Sequence, residues 1–186
     1  MAKKTAQSQA MRLSVLGVMA ALCFVSNYFR IPFLDSKIHI GNAVCVLCGY
    51  LFDPVGGFMS AGMGNLLYDL MSGYGYESII TFVSKGAIAL VASLIARQVM
   101  DKDIKAQVRI VLGAVAGAVV YVILYMLKTF IFGLTINGLT MDATLIKMGA
   151  KLPASTINAV FAIIVTPIFW NALRGPMKKA GILEKL

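Results

Sequence analysis

The run VRIVLGAVAGAVVYVILYMLKTFIF, from Val108 to Phe132, carries no charge between Ile110 and Leu127. A helix of that length spans the hydrocarbon core of a bilayer, which takes about 20 apolar residues. Unsatisfied backbone groups are too costly in hydrocarbon for anything but a helix or a closed barrel, and the run shows no alternation of a barrel strand. The same reading applied outward gives six spans: 11–28, 40–52, 54–71, 76–97, 108–132 and 153–173. The fold class read from the sequence is therefore all-α, an integral membrane protein of six transmembrane helices.

Totals agree with that solvent. Of 186 residues 59% are hydrophobic and 13% charged, and the mean hydropathy is +0.83, far above an ordinary soluble domain. Six crossings use most of the length, so residues 1–186 are expected to form one transmembrane domain. Lys3 and Lys4 before the first apolar run resemble the start of a signal peptide. The run to Tyr28 is too long for a signal core, and Tyr28-Phe29-Arg30 offers no small-residue cleavage site, so it reads as the first span.

Asp53-Pro54 separates spans two and three, because proline suits the first turn of a helix and disrupts an interior. Ser72-Gly73-Tyr74-Gly75 closes the third span. By the same proline rule the last span opens at Pro153, which leaves Gly133 to Leu152, with Asn137-Gly138, as the longest irregular connection.

The formal net charge of +9 lies at the ends of apolar runs rather than along one polar face, which argues for topology signals and against nucleic acid. Cytoplasmic loops hold the excess of Lys and Arg. With the N-terminus inside, Lys3, Lys4, Arg12, Arg97, Lys102, Lys105, Arg109, Arg174, Lys178, Lys179 and Lys185 share one side; the other side has Arg30, Lys37, Lys147 and Lys151. Both termini are expected in the cytoplasm.

Within the spans, Lys85 and Lys128 draw attention, since a buried ammonium must be paired or solvated. Asp69 and Glu77 are candidate partners, so a structural ion pair competes with ligand binding. Lys128 has no acidic neighbour in its own helix. Asn65, Tyr68, Tyr121, Tyr125, Thr156 and Asn158 supply donors, acceptors and ring faces at similar outer depths, as a pocket or as interhelical hydrogen bonds. His39, the only histidine, precedes span two and either meets a ligand or is solvated. Cys45 and Cys48, with Cys23, lie in apolar runs and read as packing rather than as disulfides, a redox pair or metal ligands. No metal site is expected, and no nucleophile constellation, phosphate loop or helical zinc motif is present. The first span aligns Ala10, Ser14, Gly17 and Ala21 into a stripe of small residues, suited to packing within the chain or to docking another helix.

Taken together, Arg30-Ile-Pro-Phe33, Ile38-His-Ile-Gly-Asn42, Gly49-Tyr-Leu-Phe-Asp-Pro-Val-Gly-Gly57, Gly64-Asn-Leu-Leu-Tyr-Asp-Leu-Met-Ser-Gly73 and Val83-Ser-Lys-Gly86 resemble the substrate-binding S component of energy-coupling factor (ECF) transporters. More narrowly they resemble the riboflavin-transporter-like branch, which includes proteins assigned to hydroxymethylpyrimidine and vitamin B6. The resemblance covers roughly the first half of the chain; the second half agrees in hydropathy and in two further spans.

It implies a non-enzymatic binding subunit of a bacterial cell membrane, without a cofactor, that holds a small water-soluble vitamin near the outer face under a lid between spans one and two. The implied partners are the transmembrane coupling protein EcfT and two cytoplasmic ATPases, EcfA and EcfA'. The family's small-xxx-small docking motif matches Gly17-Val-Met-Ala-Ala21, with glycine where alanine is usual, so docking is expected at Ser14, Gly17, Ala20 and Ala21. Family pockets point to His39, Thr81, Lys85, Tyr125, Lys128 and Asn158. Lys85 and Lys128 would donate to ligand oxygens, Tyr125 would stack, and Asn158 would both donate and accept. Pyridoxine-like and hydroxymethylpyrimidine-like rings suit a small polar pocket; riboflavin, larger and flatter, ranks third. The rival reading is a self-sufficient transporter or channel with Asp69, Glu77 and the two lysines as a relay, weakened by the lack of internal repeats. An intramembrane enzyme or a Schiff base on Lys85 is more remote still.

Overall fold

The computed structural model describes residues 2–186, with side chains from Gln7 onward; the side chains of Lys3 and Lys4, counted above as topology signals, lie outside that description. The elements run α1 (Ala2–Ser26), β1 (Arg30–Phe33), β2 (Ser36–His39), α2 (Gly41–Leu51), α3 (Pro54–Met71), α4 (Glu77–Ala96), α5 (Ile104–Thr135) and α6 (Met141–Lys179), then a 3₁₀ turn at Leu183–Lys185. Among the described residues four helical segments are long and apolar enough to cross a membrane: Gln7–Ser26, α4, α5 and α6.

Small residues fill the interior and large apolar ones face out. Ala61, Ala89, Ala92, Ala96, Ala114 and Ala162 are fully buried, whereas Leu13, Val119, Ile123, Ile164 and Ile168 are exposed. Lipid tails are as apolar as leucine, so helices in a bilayer associate through close backbone contact rather than through burial of large side chains. A Cβ added at Gly49 of α2 would overlap the Ala89 carbonyl oxygen of α4, and one at Gly64 of α3 would overlap that of Ala20 on α1. Burial makes α2 the axis of the bundle: ten of its residues, from Gly41 to Leu51 with only Val44 less than buried, sit inside.

Pro54 opens α3 with Asp53 at its N-cap, as the proline rule requires. Arg12 of α1 pairs with the Asp53 carboxylate, tying α1 to the α2–α3 corner. The end of the bundle holding the chain termini is closed by side chains on loop carbonyls. Trp170 Nε1 donates to Val99 O at 2.9 Å, and Arg174 Nη1 donates to Val99 O at 3.2 Å and Asp101 O at 2.7 Å.

Two expectations need correction. Gly133 to Leu152 is not an irregular connection: the break covers only residues 136–140, with Gly138 at φ +60°, and α6 is already helical at Met141. Thr140 caps α6, its hydroxyl accepting from the Ala143 N–H at 3.3 Å. Pro153 therefore lies inside α6 together with Pro167 and Pro176. Pro153 frees the carbonyl of Gly149 one turn back, and α6 runs on past it while packed along α5 and α2; just after the proline the Ser155 and Thr156 hydroxyls bond Leu152 O at 2.9 and 3.0 Å. The second correction concerns the segment between α1 and α2. It is an antiparallel hairpin pairing Arg30 with His39 and Ile31 with Ile38, turned at Leu34 with φ +49°.

Candidate functional site

At the hairpin end the helices splay around a cavity of about 510 Å³. Its roof is the β1–β2 hairpin, and its walls come from the ends of α3, α4, α5 and α6 nearest that hairpin.

Lys85 forms the deepest cation. It stands two turns into α4 from Glu77, buried, with Nζ 2.5 Å from Asn42 Oδ1 of α2 and 5.0 Å from the centre of the Tyr121 ring. Neither Asp69 nor Glu77 pairs with it. Glu77 instead pairs with Lys128 at 2.6 Å, so the cation without an acid in its own helix finds one across the α4–α5 interface. Lys128 also lies 5.5 Å from the Phe132 ring centre.

One wall is aromatic: the Tyr121 and Tyr125 rings stack with centroids 5.7 Å apart and planes 21° from parallel. Their spacing of one helical turn on α5 puts them on the same face. The Tyr125 hydroxyl reaches the roof at Ser36 Oγ, 2.9 Å away.

The roof is bonded to the walls along both strands. Arg30 Nη1 donates to the Tyr68 hydroxyl at 2.5 Å, and Lys37 Nζ to the Tyr74 hydroxyl at 2.9 Å. That donation from Lys37 holds the Tyr74 hydroxyl below its ordinary pKa of 10.0. Asn158 of α6, 1% exposed, accepts from the His39 N–H at 2.8 Å and donates to Lys37 O at 2.8 Å. Its amide thus completes the backbone hydrogen bonding of β2, much as an added strand would. The Gly41 N–H donates to His39 Nδ1 at 3.1 Å, which leaves the imidazole proton on Nε2. Burial first, then Lys85, Lys37 and Arg30, depress the His39 pKa well below its ordinary 6.5.

Five of the six residues singled out as ligand contacts, His39, Thr81, Lys85, Tyr125 and Lys128, line this one cavity. Asn158 stands behind the roof with its amide committed to β2. The cavity also takes in Ser36, Lys37, Tyr74, Lys147 and Lys151, none of which the sequence reading nominated. Lys147 and Lys151 were legible as an i,i+4 pair on one helical face, a signal lost when their segment was read as a loop.

Cys23 Sγ and Cys48 Sγ lie 3.7 Å apart, all three cysteines are free and buried, and no metal-holding group of His, Cys, Asp or Glu occurs among the described residues. On α1, Ala10, Ser14, Gly17 and Ala21 all face outward, and a Cβ at Gly17 would meet nothing within 4 Å. Ala20 differs from them: its carbonyl is packed under Gly64 of α3.

A family model described as the ECF-type riboflavin transporter, S component, matches residues 8–175. The chain belongs to that family. An S component is the substrate-binding subunit of an ECF transporter, a membrane protein and not an enzyme. No curated protein matches. A solved structure titled as that of the S component of a bacterial ECF transporter shares the fold with a TM-score of 0.70 at 22% identity, over 91% of this chain and 99% of the other. The match covers α6 to Arg174 and Gly175, well beyond the first-half motifs that carried the resemblance in sequence.

Proposed function

We propose that this S component captures a small water-soluble vitamin or precursor at the outer face of a bacterial cell membrane. It would release that cargo inward when EcfT and the ATPases EcfA and EcfA' reorient the whole subunit. The observation that carries the reading is the cavity under the hairpin, lined by both polar groups and aromatic rings. Its volume of about 510 Å³ lies in the range of small-ligand sites, and its stacked Tyr121–Tyr125 wall suits a heteroaromatic ring. Pyridoxine-like and hydroxymethylpyrimidine-like rings are the first candidates and riboflavin the third. His39, Thr81, Lys85, Tyr125 and Lys128 are the proposed contacts, with Asn158 holding the roof above them.

The chain acts as one domain over residues 1–186, crosses the bilayer six times and keeps both termini in the cytoplasm. The outward stripe of Ser14, Gly17 and Ala21 on α1 is the proposed docking face for EcfT. A proton or ion relay through Lys85 finds less support, because Lys85 bonds Asn42 rather than Asp69 or Glu77.

The test is to purify the chain alone, identify the small molecule that accompanies it by mass spectrometry, and titrate that molecule back. Submicromolar binding by the chain, with uptake into proteoliposomes only when the coupling protein and ATPases are added, is the expected result. Uptake by the chain alone would replace this reading with a self-sufficient transporter.

A further inference from the structure

The charges around the cavity do not balance. Five lysines line it, at 37, 85, 128, 147 and 151, against three carboxylates, Asp35, Asp69 and Glu77. Only Lys128 has a carboxylate within salt-bridge distance among the described residues of this group. His39 adds a neutral Nε2–H donor rather than a compensating charge.

The deepest point holds the largest imbalance. Lys85 is 9% exposed, and an ammonium has three donors and no acceptor. One donor goes to Asn42 Oδ1 and a ring face of Tyr121 lies nearby; no anion meets the charge. Behind it, Asn42 Nδ2 is buried without any acceptor. A buried cation without an anion, beside a buried donor without an acceptor, is unfavourable in an empty protein. A ligand that brings an anion into the cavity removes the imbalance.

Resting on the vitamin-capture reading above, we infer that the cargo of this S component is an anion: a small aromatic ring bearing a carboxylate or a phosphate, whose charged oxygens end on Lys85 while the ring lies along Tyr121 and Tyr125. The four other lysines line the same cavity, so an anion is also attracted to it from solution.

The experiment has two stages. The compound extracted from the purified full-length chain is first identified, and its charge at neutral pH is read from its structure; an anion is expected. The purified chain is then titrated calorimetrically with three matched pairs: pyridoxine and pyridoxine 5'-phosphate, nicotinamide and nicotinate, riboflavin and riboflavin 5'-phosphate. The anionic member of the binding pair is expected to bind about tenfold tighter or more, the scale of a hydrogen bond to a charged group. Which pair binds separates phosphate from carboxylate. Lys85→Met should erase the preference, Lys85→Arg should retain it, and Lys102→Met, in the loop between α4 and α5 at the opposite end of the bundle, should leave it unchanged. A neutral accompanying compound, or neutral members binding as tightly as their anionic partners, would overturn the inference and leave vitamin capture standing. A preference that survives in Lys85→Met would overturn it as well. If no compound accompanies the chain and no probe binds, the capture reading falls and takes this inference with it.

Discussion

His39 is the point at which proton concentration acts on the lid. Its Nδ1 must stay unprotonated to accept from the Gly41 N–H, and burial with Lys85, Lys37 and Arg30 around it opposes a further positive charge. Once the hairpin is released the imidazole returns to its ordinary pKa near 6.5. Above that value both states are neutral and pH has no effect through this residue. Below it the released state takes up a proton that the closed state refuses, so closure loses stability as pH falls from about 6.5 toward the depressed value. His39 is the only histidine, so in a comparison at pH 7.5 and 5.5 its share is the part of the difference that His39→Gln removes. Ligand dissociation measured by stopped flow should quicken at the lower pH, and His39→Gln should flatten the dependence. Equal slopes in both proteins would remove His39 from the closing mechanism.

Helix α1 carries two glycines' worth of evidence on its two faces. Outward, Gly17 has open space around its Cβ position; inward, α1 packs so tightly on α3 that the Ala20 carbonyl fills the place of a Cβ at Gly64. Gly17→Leu should therefore leave thermal stability in detergent within about 0.5 kcal/mol of the parent and leave vitamin binding intact, while pull-down with EcfT and uptake are lost. Gly64→Ala should show the reverse order of damage: overpacking of about 1–3 kcal/mol or more, seen as a lowered melting temperature, because the opposing atom is backbone and cannot rotate away. If Gly17→Leu abolishes ligand binding, the stripe is packing surface and docking lies elsewhere. Helix α6 carries a different lesson: three prolines sit inside it, and packing along α5 and α2 rather than local propensity keeps it continuous.

At the scale of the molecule, the bundle sorts its charges by end. The hairpin, the Ser72–Tyr76 turn and residues 136–140 share the cavity end, and the Arg97–Asp103 loop shares the other with the chain termini. If the termini are cytoplasmic, as proposed, Ser72→Cys should react with a membrane-impermeant maleimide added to whole bacterial cells, and Lys102→Cys should react only after the cells are opened. Both positions are exposed, and the three natural cysteines, each 0% exposed, give no background. Labelling of Lys102→Cys in intact cells would invert the topology.

How much of this was legible in the sequence follows from the range of the forces concerned. Hydrocarbon as solvent acts on each apolar run by itself, so the helical class, the α2–α3 corner at Asp53-Pro54 and the near boundaries of α4 could be read along the chain. The small-residue stripe on α1 could be read the same way, since period and residue size are local. Tertiary structure alone decided the rest. Lys85 meets Asn42, 43 positions away, and Asn158 meets His39, 119 positions away, because helix rotation and depth, not sequence spacing, set which polar groups share a buried plane. The same holds for Pro153, which disfavours a helix in isolation and lies inside α6 because that helix packs along α5 and α2.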